Sequence, residues 1–394
     1  MPPSRRPSAS SRWDRNSRKR PCRGSAADQQ SPRPGTLFDV RTGVRHLVLA
    51  LVLACTAAAC SGGGGGASSK EPDDALETPT GVAGERAVQA TGAGKVRLFG
   101  TLAVPPAATS ASVPGVLILP GAGAGDRDGS VSLSGVPDRL ARDVAKSLSS
   151  AGVASYRYDR RGTGESKIEP DVRLSVDDLV ADARAGLDLL AQRRETNGKG
   201  LSVVAYDSGG LLALRLAALD NRVTRVVLIA SPGGTLADVH AAQVAAVAGA
   251  EAGVALQTTV AGLLATRSLP PLASLRSELR SMFPAEEAAF LADLYGIDPT
   301  VDAAKLKVPV LILVPADRAP YAPERLVAAA PNGAAAVATT AGGPTLSIEG
   351  TAVLLNPNDP ALHANGMSGP VPGATRDAAA LDRITGFVSA AVPR

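Results

Sequence analysis

The sequence predicts an α/β fold: a doubly wound, mostly parallel sheet carrying a helical cap insertion. Three observations point there. Strand-like and helix-like segments alternate from about residue 89 to 317. The runs VTRVVLIAS (223–231) and VPVLILVPAD (308–317) are almost continuously apolar, the pattern of strands buried on both faces of a helix-covered parallel sheet. Between them, from Pro232 to about Leu306, the alternation gives way to an Ala-rich helical stretch broken at Leu269-Pro270-Pro271. An excursion of that length between two sheet strands reads as a cap, at about 235–305, over the strand C-termini where open α/β sheets bind ligands.

The elements follow in order. KVRLFGTLAVP has period-two alternation and reads as a strand, and GVLILP (115–120) is a short apolar strand ending in a glycine loop. VPDRLARDVAKSLSSAG (136–152) has helical spacing and a terminal glycine, so a helix is expected across it. GVASYRYD (152–159) is a strand. SVDDLVADARAGLDLLAQRR (175–194) opens on Ser175 and acidic residues and repeats apolar positions at three and four, an N-capped amphipathic helix. LSVVAY (201–206) is a strand followed by the helix LLALRLAALD, and AAAVATT (334–340) is the last strand.

The net positive charge lies in the leader. Residues 1–46 hold 11 basic and 3 acidic residues, leaving 30 basic against 34 acidic for 47–394. The folded body is therefore mildly acidic, which disfavours nucleic acid as a partner, because phosphate neutralisation needs clustered Lys and Arg. Aromatic stacking platforms are also scarce: the one Trp is Trp13, with five Tyr and five Phe in the whole chain. No apolar run reaches the ~18 residues of a membrane-spanning helix.

Arg41, Arg45 and His46 precede LVLALVLACTAAA (47–59), a positive region followed by a 13-residue apolar core, as in an export signal. It ends at Cys60, with SGGGGGASS after it. This resembles a bacterial lipoprotein signal, in which the cysteine after small residues is lipidated. Cys60 is the expected acceptor and Cys55 its rival. Translation from near Val40 would give that signal its usual length. The expected organisation is leader and signal 1–59, flexible linker 60–88 and folded domain 89–394, exported and held by lipid at the outer face of the cell membrane. No thiol follows Cys60, so neither a disulfide framework nor a cysteine nucleophile belongs to the body. The glycine loop at 121–125 matches neither the dinucleotide fingerprint nor a Walker loop, and no metal or organic cofactor is expected.

Four local motifs then fall in order. PGAGAGDRDG (120–129) follows the 115–120 strand, DRRGTGES (159–166) follows the next, AYDSGG (205–210) lies at a strand-to-helix junction, and VPVLILVPAD ends on Asp317. Together they resemble the α/β-hydrolase superfamily, and within it the exported carboxylesterases of bacteria, over about 90–394. The resemblance implies an oxyanion loop at 120–129, a nucleophile elbow at 205–210 and a catalytic acid at Asp317. For Asp159 and Arg161 it implies a structural role, pairing to hold loops together.

An active serine member carries G-x-S-x-G at the elbow, with small residues two before and two after the nucleophile. With Asp207 at the tip those positions are Ala205 and Gly209. With Ser208 at the tip they are Tyr206 and Gly210, and a tyrosine crowds the turn. Sterics favour Asp207, so an aspartate is expected where the serine belongs. The Ser208 backbone N–H then becomes one oxyanion donor, with Gly121 or Ala122 as the second.

The family's histidine follows the last strand, and here that position falls near Pro344 or Thr345. The body has only His240 and His363. His363 reaches the site if its Pro/Gly-rich loop folds back; His240, at the start of the cap, is expected to be solvent-exposed. Relatives that use an aspartate nucleophile still need a histidine-activated water. The dehalogenases add tryptophan, absent after Trp13, and the epoxide hydrolases a pair of cap tyrosines, of which only Tyr295 is present. Two outcomes remain open: an impaired hydrolase whose cap binds a small apolar or acyl ligand, or an active carboxylic-ester hydrolase using Ser208 or Asp207 with His363 and Asp317. The oligomeric state is not legible.

Overall fold

The computed structural model describes residues 78–79, 84–109, 112–121, 126–133, 136–169, 171–196, 200–315, 319–331, 335–339 and 376–390. All of them fall in the compact unit spanning Val40–Arg394.

One sheet of nine strands organises the body. The strands are β1 (Thr78–Pro79), β2 (Glu85–Thr91), β3 (Arg97–Ala103), β4 (Gly115–Leu119), β7 (Ala154–Tyr158), β8 (Leu201–Tyr206), β9 (Val223–Ile229), β10 (Val310–Val314) and β11 (Ala335–Thr339). Their spatial order is β1-β2-β3-β7-β4-β8-β9-β10-β11. The six strands from β7 to β11 pair in parallel. β1, β2 and β3 form an antiparallel flank joined to β7. β4, β8 and β10 are buried along their whole length, as strands of a sheet covered on both faces are.

Sheet pairing reaches into the segment expected as linker: Thr78–Pro79 pairs with β2, and β2 starts at Glu85 and pairs with β3 along its full length. The helix expected over 136–152 is shorter than that span. Val136–Arg139 is strand β6, paired with β5 (Ser130–Leu133), and helix α1 occupies Leu140–Ser150. Antiparallel pairing of β6 with β5 takes the residues around Pro137 before helix can begin.

Helix α2 (Val176–Gln192) starts where its sequence says it should. Ser175 Oγ accepts the Asp178 N–H at 3.0 Å, and Asp177 and Asp178 sit against the positive end of the helix dipole. Gly186 in α2 lets the helix rest on the sheet, since a Cβ there would lie 2.8 Å from Leu117. Helix α3 (Gly209–Leu219) follows β8 directly. After β9 come α4 (Leu236–Ala248), α5 (Ala250–Thr266), α6 (Ala288–Tyr295) and α7 (Pro299–Ala303), which fill the interval before β10. Helices α8 (Pro323–Ala329) and α9 (Ala378–Ser389) complete the described chain. The C-terminal ends of the parallel strands β4 and β8 therefore meet beside Gly121 and Asp207, the place where an open α/β sheet presents its ligand site.

Candidate active site

The β8–α3 junction is a sharp elbow, and its backbone identifies the tip. Asp207 has φ +51°, in the left-handed region that side-chain-bearing residues rarely enter. Ser208 has φ −59° and ψ −20° and already sits in helical conformation at the start of α3. Asp207 therefore stands at the tip of the turn and Ser208 takes the position after it. The turn is held by Asp207 N–H donating to Ile229 O at 2.9 Å and Gly210 N–H donating to Asp207 O at 3.0 Å. Close packing explains the small flanking residue: a Cβ on Gly209 would lie 2.5 Å from the Pro120 carbonyl oxygen.

Gly121, at the end of β4, faces the tip. A Cβ there would lie 3.0 Å from Asp207 Cβ and 3.4 Å from Asp207 Oδ2. Asp207 is 3% exposed. Burial pushes its carboxyl up to about 6, partly offset by a hydrogen bond from the Ser208 backbone N–H. That N–H is the donor expected to serve an oxyanion. Oδ1 has no hydrogen-bond partner among the described residues.

Helices α4 and α6 contribute a pair that the sequence reading missed. His240 of α4 is buried, not exposed as expected, and its Nδ1 lies 2.8 Å from the Tyr295 hydroxyl of α6. The two rings meet edge to face with centroids 5.6 Å apart, and Tyr295 stacks on Phe283 at 6.0 Å. Burial lowers His240 to about 4, so the ring is neutral at physiological pH. Burial first, and the negative charge of Asp207 second, raise the Tyr295 phenol well above its ordinary range. Asp207 and Tyr295 are thus electrostatic neighbours. A signal existed in the sequence: His240 lies on the stripe formed with Leu236 and Val244, both buried in α4.

The DRRGTGES turn is a set of bolts. Asp159 accepts from the Arg127 backbone N–H at 2.6 Å, from Arg127 Nη2 at 2.7 Å and from the Glu165 N–H at 2.7 Å. Arg127 also bonds Glu165. Arg161 donates through Nε and Nη2 to Asp182, each at 2.6 Å, and Asp182 accepts the Ala93 N–H at 2.9 Å. The Arg161–Asp182 pair, with the Ala93 N–H, ties the turn after β7 and the β2–β3 connection to α2. A charged cavity of about 400 Å³ adjoins Arg127 and Asp159, lined also by Glu85, Asp128, Arg142 and Arg157; Asp207 does not line it.

The other expected site residues, Ala122, Asp317, His363 and the lipidation candidate Cys60, lie outside the described residues. Among the described residues, no cluster of three or more His, Cys, Asp or Glu is placed to hold a metal ion. No helix among them is long and apolar enough to cross a membrane.

Comparison with known proteins agrees with the geometry. A family described as alpha/beta hydrolase fold matches residues 114–290, from β4 into α6. Esterase EstD of Thermotoga maritima is 25% identical over 206 residues, 52% of this chain and 46% of that protein, so this chain spans less than half of that relative's length. The solved structure of DcsB in complex with its substrate analogue superposes with a TM-score of 0.50 at 16% identity, covering 79% of this chain and 100% of that one, a likeness of fold alone. The chain has the α/β-hydrolase fold.

Proposed function

We propose that this chain is an exported, lipid-anchored α/β hydrolase whose ester-cleaving apparatus is impaired, and whose cleft binds a small ligand, apolar or acyl, without turnover. One observation carries the catalytic part. An aspartate, Asp207, and not a serine stands at the elbow tip, with its carboxyl buried. A serine attacks an ester after passing its proton to a histidine. A carboxylate attacking the same ester forms a tetrahedral adduct that expels the carboxylate more readily than the alkoxide, so the adduct returns to starting material. Passing that point also needs a base to activate water. Among the described residues the histidine on offer is His240, which is bonded to Tyr295.

Kinetics with short-chain nitrophenyl esters test this reading. The purified chain and its Asp207→Ala, Ser208→Ala and His363→Ala variants should all hydrolyse at the rate of buffer. Turnover that one of these substitutions removes would replace the reading with its alternative, an active carboxylic-ester hydrolase using Ser208 or Asp207 with His363 and Asp317. That alternative draws on the likeness to an esterase. Export and anchoring rest on the basic-then-apolar leader that ends at Cys60. In a bacterial host, the chain should fractionate with membranes as an acylated protein and lose the acyl group on Cys60→Ser. An unacylated wild-type mass would end that part of the proposal.

A further inference from the structure

The cavity beside the turn after β7 is walled by charge. Three guanidinium groups and five carboxyls line about 400 Å³, a volume within the roughly 300–1,000 Å³ of small-molecule sites. Glu165 on its wall is exposed, so the cavity meets solvent. Hydrogen bonds fill some positions of the wall and leave others open. Asp159 is saturated: it accepts three N–H groups of Arg127 and one of Glu165. Arg157 is 2% exposed and donates Nε to Asp128 Oδ1 at 2.9 Å and Nη2 to Glu85 at 3.0 Å. Its Nη1 has no acceptor among the described residues, and neither has the buried Nε of Arg142. Arg142 Nη1 stays 4.0 Å from Asp128 Oδ2, beyond hydrogen-bond length. Asp126 takes the Asp128 and Ser130 N–H groups through Oδ1. The wall thus offers donors on Arg142 and Arg157 and acceptors on the second oxygens of Asp126 and Asp128. A buried donor left unanswered is costly, and in a native fold it marks a place where something else completes the contact.

We propose that this cavity binds a neutral polyhydroxy compound, a polyol or hexose with adjacent hydroxyl groups. It is a second site, since Asp207 of the elbow does not line it. Charge selects against the alternatives. A simple anion answers Arg142 and Arg157 but meets five carboxyls against three guanidinium groups. A simple cation finds carboxylates and leaves the open guanidinium donors unanswered. An apolar ligand answers neither. A hydroxyl oxygen accepts from a guanidinium N–H while its own proton goes to a carboxylate, so adjacent hydroxyls match a wall that carries both. Such a ligand also brings no net charge to be stripped of water.

Saturation-transfer NMR titrations of the full-length chain with glucose, glucuronate and glucosamine test the proposal on one ring carrying three charges. At about pH 6 the acid is a carboxylate and the amine an ammonium. Glucose should bind at least about fivefold more tightly than either charged sugar. Arg142→Leu, which removes one open donor, should weaken glucose binding about tenfold while leaving the circular dichroism unchanged. Asp207→Asn should leave glucose binding as it is. If Arg142→Leu does not fold, the three sugars on the wild-type chain decide alone. No saturation transfer to glucose, a charged sugar bound as tightly as glucose, or full affinity in a folded Arg142→Leu variant would overturn the proposal. So would loss of glucose binding in Asp207→Asn, which would place the sugar at the elbow.

Discussion

Replacing Asp207 with asparagine should stabilise the protein at neutral pH, because the native residue holds a charge where the fold disfavours one. Burial moves the carboxyl from 3.8 to about 6. A difference of that size corresponds to about 3 kcal/mol between the two protonation states. The sign follows from linkage. A carboxyl whose folded value lies above its unfolded value contributes stability below the unfolded value and loses it as pH rises through the folded one. The wild-type chain therefore gives up about 3 kcal/mol between roughly pH 4 and pH 6 that Asp207→Asn retains. Asparagine suits the site, since it tolerates the left-handed conformation at φ +51° and keeps an oxygen for the Ser208 N–H. His240 works in the opposite direction over part of that range, because burial lowers it to about 4 and its stabilisation is lost as pH falls. Both proteins carry it, so the difference between them isolates Asp207. Urea unfolding followed by circular dichroism at pH 7.5 and pH 4 measures that difference. The variant should be the more stable by roughly 2–3 kcal/mol at pH 7.5 and equal to wild type at pH 4. A variant no more stable at pH 7.5, or one with the same advantage at both pH values, would refute the electrostatic reasoning.

Other consequences can be checked separately. Arg161→Met leaves Asp182 buried without its partner and should cost about 3–5 kcal/mol in urea unfolding, most of it recovered when Asp182→Leu is added. A single-variant cost below about 1 kcal/mol would mean that the pair is solvated. Gly209→Ala drives a Cβ into the Pro120 carbonyl and should destabilise by about 1–3 kcal/mol, read as a lower melting temperature. By proton NMR, the His240 ring should titrate near 4 rather than 6.5, and Tyr295→Phe, which removes the hydroxyl bonded to Nδ1, should shift that titration.

Much of the fold was legible because it is written in local patterns. The nearly continuous apolar runs of β9 and β10 are almost wholly buried, and Ser175 with its acidic neighbours fixes the start of α2. The elbow register was legible from sterics alone: Ala205 and Gly209 are small where Tyr206 is not, and the left-handed φ falls on Asp207 accordingly. What could not be read depends on partners far along the chain. His240 looked like a surface histidine because Tyr295, 55 residues later, is what buries and bonds it. Arg127 carried no local signal, since its partner Asp159 lies 32 residues away. The β5–β6 pairing was missed because residues 136–139 share the spacing of the helix they precede, and only the partner strand distinguishes the two.

The most direct test of an elbow that carries aspartate and no longer cleaves esters is the intact mass of the protein after exposure to a fluorophosphonate and, separately, to a short-chain nitrophenyl ester. The mass should be unchanged in both cases. A phosphonyl adduct mapped to Ser208, or an acyl adduct mapped to Asp207 or Ser208, would contradict it.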